Sequence, residues 1–128
     1  MVPDVGSSAQ DGTSGALPVS VTRQGPVAVI SVSGELDLAT TPELRRALDD
    51  VLGQLPAAVV VDLTELLFIA SVGIAALMWA HAQTAANGIR FAVVAAGYTL
   101  RPLEVTGVAT QVAVYPTLTD ALGAASGG

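Results

Sequence analysis

Ser71 is the residue whose surroundings most invite chemistry. It is the only polar side chain in the stretch 66–75, LLFIASVGIA. The apolar run leads into Ile69-Ala70, breaks at Ser71 and resumes with helical spacing, so the serine is expected to open a helix. A serine there can act as an N-cap for the orphan helix amides. The same geometry suits an anion, because free amides and the positive end of the helix dipole face it. A phosphate on Ser71 would add about −1.5 to −2 charges. The helix end would tolerate it, while a partner packed on that surface would lose its fit. Gly73, two residues on, would let another backbone approach closely.

Other chemistries find less support. A serine hydrolase built on Ser71 lacks the first glycine of a G-x-S-x-G elbow, since residues 69–73 read IASVG. The single histidine, His81, lies about 15 Å further along the same helix and cannot act as base to Ser71. With one His and no Cys, a transition-metal site is not expected, and neither disulfides nor thiolate catalysis is possible. Glu35 and Asp37 share a face if extended, but no cleft accompanies them, and Asp37 equally suits a turn cap. Asp62, at the end of an apolar run, suits bonding to loop amides. Neither a G-x-G-x-x-G nor a Walker motif can be written on the chain, so no cofactor is implied.

The elements that position these residues follow from periodicity. Val19 and Val21 alternate with polar neighbours as a half-exposed strand. Gln24-Gly25-Pro26 turns into a second strand, with Val27 and Val29 on one face and Ala28, Ile30 and Val32 on the other. The short gap makes an antiparallel hairpin. Thr40 and Glu43 have capping-box spacing with Pro42 in the first turn of a helix. Its stripe is Leu44, Leu48, Val51 and Leu52, and Gly53 and Pro56 end it. Residues 57–63, AAVVVDL, read as a central strand and 64–68 as a loop. From Ser71, a helical stripe runs through Ile74, Leu77, Met78, His81 and Ala85, closed by Asn87-Gly88. Ile89 to Ala95 is a strand, and Leu100 to Thr106 a short helix with Thr99 as its cap. Val112 to Tyr115 is a last strand, and Thr117 caps a terminal helical turn or two ending at Leu122. The order β-β-α-β-α-β-α-β-α predicts an α/β sandwich, with a small mixed sheet of four to five strands packed with about four helices.

Size and charge narrow the function. The 128 residues make one domain, with residues 1–17 expected to be a flexible tail, 18–122 the folded unit and 123–128 a frayed end. Five Arg against eleven Asp and Glu give a net charge of −6, which argues against nucleic acid and against an anionic membrane surface. The apolar run 66–82 is shorter than the roughly 20 residues a membrane span needs, and it contains Ser71 and Gly73. No signal peptide is visible. A cytoplasmic binding domain is the expectation.

Five stretches together resemble a known family: Gly34-Glu35-Leu36-Asp37-Leu38-Ala39-Thr40, Val60-Val61-Asp62-Leu63, Phe68-Ile69-Ala70-Ser71-Val72-Gly73, Leu103-Glu104-Val105-Thr106-Gly107-Val108, and Tyr115-Pro116-Thr117-Leu118 with Ala121-Leu122. They are similar to the STAS domain of bacterial anti-sigma factor antagonists, over about residues 18–122. The resemblance implies a STAS-type sandwich and a non-enzymatic role. Such proteins bind an anti-sigma factor, commonly a GHKL-type serine kinase, and free a sigma factor. Phosphorylation of the family's serine breaks the complex, and a serine phosphatase restores it. That serine maps onto Ser71. The implied partner surface is Asp37, Leu38, Thr40, Ala70, Val72, Gly73 and Ile74. The chain departs from the D-S-[ST]-G pattern, with Ala70 before the serine and Val72 after it, which makes the surface more apolar. Another use of the same domain, in a signalling scaffold or a transporter-regulating complex, is the alternative.

Overall fold

The computed structural model describes residues 18–126. The expected tail at 1–17 and the last two residues lie outside them. Two strands open the fold, β1 (Val19–Gln24) and β2 (Val27–Leu36), paired antiparallel with Gln24 opposite Val27. Gly25 supplies the positive φ, 62°, that so tight a hairpin requires. β3 (Ala58–Ile69), β4 (Arg90–Val94) and β5 (Ala113–Tyr115) then add in turn, each parallel to its neighbour. The result is a mixed five-stranded sheet in the order β1-β2-β3-β4-β5.

The sheet is covered on both faces, which is why its central strands read as unbroken apolar runs. On one face Ala28, Ile30, Val32, Val59, Val61 and Leu63 pack under α1 (Thr41–Gly53) and α2 (Ser71–Ala86). α1 delivers Leu44, Leu48 and Val51, all buried. On the other face Val27, Val29, Val60 and Val94 meet Ala121 and Ala125 of α5 (Leu118–Ser126). Each fully buried aliphatic side chain of this kind contributes about 1.5–3 kcal/mol relative to exposure. Between β4 and β5 the chain forms a 3-10 turn (Gly97–Thr99), α3 (Leu100–Val105) and α4 (Val108–Gln111).

Several expectations are corrected. Residues 64–68, expected as a loop, are strand, because β3 stays paired to β2 as far as Leu36–Ile69. Two register shifts carry that pairing, one beside Gly34 at φ 77°, and they scramble the alternation that marks a strand in sequence. Of the predicted α2 stripe only Leu77 is fully buried; the rest of the buried face is Gly73, Ala76, Ala80 and Thr84. Small side chains let this helix sit close to the sheet, leaving Ile74, Met78 and His81 on its half-buried flank and Ala85 exposed. Thr99 stands at the N-cap position of α3 as expected, but its side chain does not cap the helix, since its hydroxyl donates back to the Ala96 carbonyl at 3.0 Å. Thr117 does cap α5, accepting from the Asp120 amide. α5 continues to Ser126, so residues 123–126 are helical where fraying was expected.

Candidate functional site

The carboxyl ends of β2 and β3 lie side by side, with Leu36 opposite Ile69, so the two segments that follow them are neighbours. After β2 comes the turn Asp37–Thr40 into α1. After β3 comes Ala70 and then α2. A bond from the Ala70 amide to the Leu36 carbonyl, 2.8 Å, ties the two together. The carboxyl edge of a parallel sheet is where α/β folds place their sites.

The turn is internally satisfied. Oδ1 of Asp37 accepts from the amides of Ala39 and Thr40 at 3.0 and 3.1 Å. Thr40 Oγ1 accepts from the Asp37 amide at 3.0 Å. Its single proton lies between the Glu35 carbonyl at 2.6 Å and Asp37 Oδ1 at 3.1 Å. Hydrogen bonds from Thr40, backbone first and then hydroxyl, with a further one from Ala39, hold the Asp37 carboxyl below its ordinary range. The expected capping box is absent, because the Thr40 hydroxyl is engaged backwards, on Glu35 and Asp37, instead of forwards on the first turn of α1. The turn carries Leu38 outward, 79% exposed.

The start of α2 is built the opposite way. Ser71 is the first helical residue and is exposed, as expected. It is not the N-cap: that position is Ala70, extended at φ −87° and ψ 170°, with no side chain to cap the helix. The amides of Gly73 and Ile74 reach the Ala70 carbonyl at 2.9 and 3.1 Å. Those of Ser71 and Val72 have no acceptor within the helix, as first-turn geometry dictates. Gly73 is buried, and a Cβ there would come within 2.8 Å of Leu36 and 2.9 Å of Ile69. The close approach that glycine permits is therefore by side chains of the sheet beneath it, not by the backbone of a partner. Ile74 packs against the core, whereas Val72 reaches the surface opposite Leu38 and α1.

The residues singled out from the sequence thus gather at one end of the molecule in two depths. Leu38 and Ser71 are exposed, with Ala70 and Val72 half-buried beside them, while Asp37 and Thr40 brace the turn, Gly73 is buried and Ile74 packs half-buried against the core. Sequence reasoning missed Leu67 and Phe68, which lie in the stretch expected as a loop and are 77% and 53% exposed at the same edge. Two adjacent large apolar residues just before the serine were the available signal. Asp62 behaves as expected and accepts from the Thr64 amide. His81 lies half-buried against Phe91, ring centroids 6.5 Å apart, away from the serine. Among the described residues no group of His, Asp and Glu could hold a metal ion, and no helix is long and apolar enough to cross a membrane.

Known proteins share this fold. The anti-sigma-F factor antagonist RsfB of Mycobacterium tuberculosis is 36% identical over 114 residues, covering 88% of this chain and 93% of its own. A crystal structure of an anti-sigma factor antagonist from Mycobacterium paratuberculosis is 38% identical, with a TM-score of 0.79, and covers 84% of this chain and 92% of that one. SpoIIAA of Bacillus, solved in its phosphorylated form, shares the fold alone, at 18% identity and a TM-score of 0.65 over 81% of this chain and 96% of its own. The model of the STAS domain matches residues 18–121. With the mixed sheet and the Ser71 helix start already in place, that match assigns the chain to the STAS domain family.

Proposed function

We propose that this domain is an anti-sigma factor antagonist: it binds an anti-sigma factor, a serine kinase of the GHKL type, and so frees a sigma factor in the cytoplasm. The observation that carries the reading is the pairing of an exposed Ser71, at the first position of α2, with the braced turn that holds Leu38 out beside it. The names of the mycobacterial relatives support the same role. In this reading the domain has no active site. Leu38, Ala70, Val72 and the flanking Asp37, Thr40, Gly73 and Ile74 form the docking surface or its support, and Ser71 is the phosphoacceptor.

Phosphorylation would work as a switch by local electrostatics. The unmet amides of Ser71 and Val72 and the helix dipole accommodate the new charge in cis. The partner's surface, fitted to a neutral serine between apolar neighbours, loses contact with a desolvated dianion. A serine phosphatase would restore binding.

The test mixes the purified domain with anti-sigma kinases, with and without ATP, and measures complex formation, sigma factor release and intact mass. The expected result is a complex without ATP, a single added phosphate with ATP, and its loss in Ser71→Ala. Ser71→Glu should weaken binding by about tenfold or more while Ser71→Ala keeps it. Absence of any complex, or equal binding by the two variants, overturns respectively the docking reading or the switch.

A further inference from the structure

Seven large apolar side chains stand exposed among the described residues, and four of them gather at the carboxyl edge of the sheet: Leu38, Leu67, Phe68 and Tyr98, the last 91% exposed. Single apolar residues on a surface need no explanation, whereas a cluster at one edge marks a contact region. Of these four only Leu38 belongs to the docking surface described above. Ile69 is buried with the residues of α1 and α2, so Phe68, its neighbour in the strand, points to the opposite face of the sheet. There it lies beyond the stretch that α5 covers. Phe68 precedes Ser71 by three residues, which keeps their Cα atoms within about 11 Å of each other. Leu67 is the extra residue at the second register shift, without a partner on β2. Pairing of β3 with β4 ends at Asp62 opposite Val94, so β3 runs on past its neighbour. The 3-10 turn that follows β4 packs beside β3 and carries Tyr98 to the same edge.

We propose that Leu67, Phe68 and Tyr98 form a second half of the docking surface, apolar anchors that hold the anti-sigma factor on the side of Ser71 away from α1, a reading that rests on the function proposed above. A stable complex buries about 800 Å² on each partner and engages about 20–30 residues a side. Leu38, Ala70, Ser71 and Val72 are too few to supply that, so a partner seated on them extends past them. Towards α1 it meets Arg45, Arg46 and Asp49, and charge is depleted in interface cores. Towards Phe68 and Tyr98 it meets aromatic side chains continuous with the Ser71 segment, the kind enriched in interface cores and, for Tyr, among the residues that dominate affinity. The two halves then have different tasks. The half around Leu38 and Val72 closes over Ser71 and is opened by its phosphate. The anchors are uncharged and stand outside the first turn of α2, so their contribution is the same whether or not Ser71 carries charge.

Calorimetric titration of the full chain with the anti-sigma kinase that binds it in the test above, without ATP, decides the matter. Phe68→Ala and Tyr98→Ala should each weaken binding at least fivefold, Phe68→Leu less than Phe68→Ala, and Val21→Ala, an exposed apolar position on β1, not at all. Both aromatic side chains are exposed, so thermal unfolding of the variants should match the wild type. Tyr98→Ala should cost the same factor in a Ser71→Glu background as in the wild type. Wild-type affinity in both alanine variants would overturn the proposal and leave the antagonist function standing. A loss in Tyr98→Ala that vanishes with Ser71→Glu would overturn the division of tasks. Self-association in sedimentation that Tyr98→Ala abolishes, with kinase affinity unchanged, would give the edge to a second copy of the chain and overturn the proposal as well. If the wild type binds no kinase, the function itself fails and the anchors with it.

Discussion

Two helix starts stand side by side at the carboxyl edge of the sheet, and they are finished in opposite ways. The turn into α1 satisfies its own polar groups through Asp37 and Thr40 and presents only Leu38 to the outside. The start of α2 has an alanine at the capping position, an exposed serine after it and first-turn amides with no side chain to meet them. One is a closed brace and the other an open socket. Rigidity is placed on one strand end and unfilled hydrogen-bonding capacity on the next, beside the serine proposed as phosphoacceptor.

The contrast breaks most severely at the packing that both share. Gly73→Ala removes the conformational freedom of glycine in a helix, which alone would stabilise by about 1 kcal/mol. The new Cβ, however, would fall 2.8–2.9 Å from Leu36 and Ile69, both buried in the sheet beneath. Overpacking of this kind costs about 1–3 kcal/mol. We expect a net loss of stability in denaturant titrations, with weaker partner binding as Ser71 is pushed outward. A variant as stable as the wild type would show that the socket does not depend on its fit to the end of β2.

Breaking the brace comes next. Thr40→Val keeps the side-chain shape and strips the hydroxyl from three contacts, with the Glu35 carbonyl, the Asp37 amide and the Asp37 carboxylate. The turn is partly exposed, so water recovers some of the loss, and a destabilisation of about 1 kcal/mol is expected. Amide exchange at Asp37 and Ala39 should accelerate while that of the β2–β3 ladder stays slow. Closing the socket is the reciprocal change. Ala70→Asp supplies the missing cap and an acid at the positive helix end, and it restores the residue that resembling sequences carry before their serine. It should raise stability by about 1 kcal/mol in denaturant titrations. The same substitution should slow loading of phosphate on Ser71 if open amides are what favour the anion, and speed it if the kinase reads the acid directly.

Most of this architecture was legible from the chain. The strand-helix alternation gave the parallel sheet, and the apolar runs Val27–Val32 and Ala58–Leu63 gave strands buried on two faces. The break in the run at Ser71 located the helix start to the residue. The errors share a cause, namely features set by pairing across the sheet rather than along the chain. The extension of β3 to Ile69 depends on register shifts against β2 that no local periodicity encodes. The inward face of α2 is chosen by how closely Gly73, Ala76 and Ala80 let the helix approach, and an almost wholly apolar helix offers no stripe to read. Thr40 looked like a forward cap and is a backward brace because Glu35 and Asp37 come round to meet it.

The smallest effect separates brace from socket without any substitution. An ordinary aspartate titrates near pH 3.9. The Asp37 carboxyl is held lower by the Thr40 backbone, the Thr40 hydroxyl and the Ala39 amide, all of which bond to its charged form. A group whose folded value is depressed contributes its stability in full above the unfolded value. The contribution fades as pH falls toward the folded value and is absent below it. The turn should therefore remain intact at neutral pH and loosen only under acid, over a window that opens near pH 3.9 and extends downward. The amide resonances of Ala39 and Thr40 should report a midpoint below 3.9, while those of Ser71 and Val72, with no carboxylate bonded to them, move little over the same range. In Thr40→Val two of the three bonds to Asp37 remain, so its midpoint should rise towards the ordinary value without reaching it. A midpoint at or above 3.9 in the wild type would mean that the carboxylate does not hold the turn, and Leu38 would lose the support that sets it beside the serine.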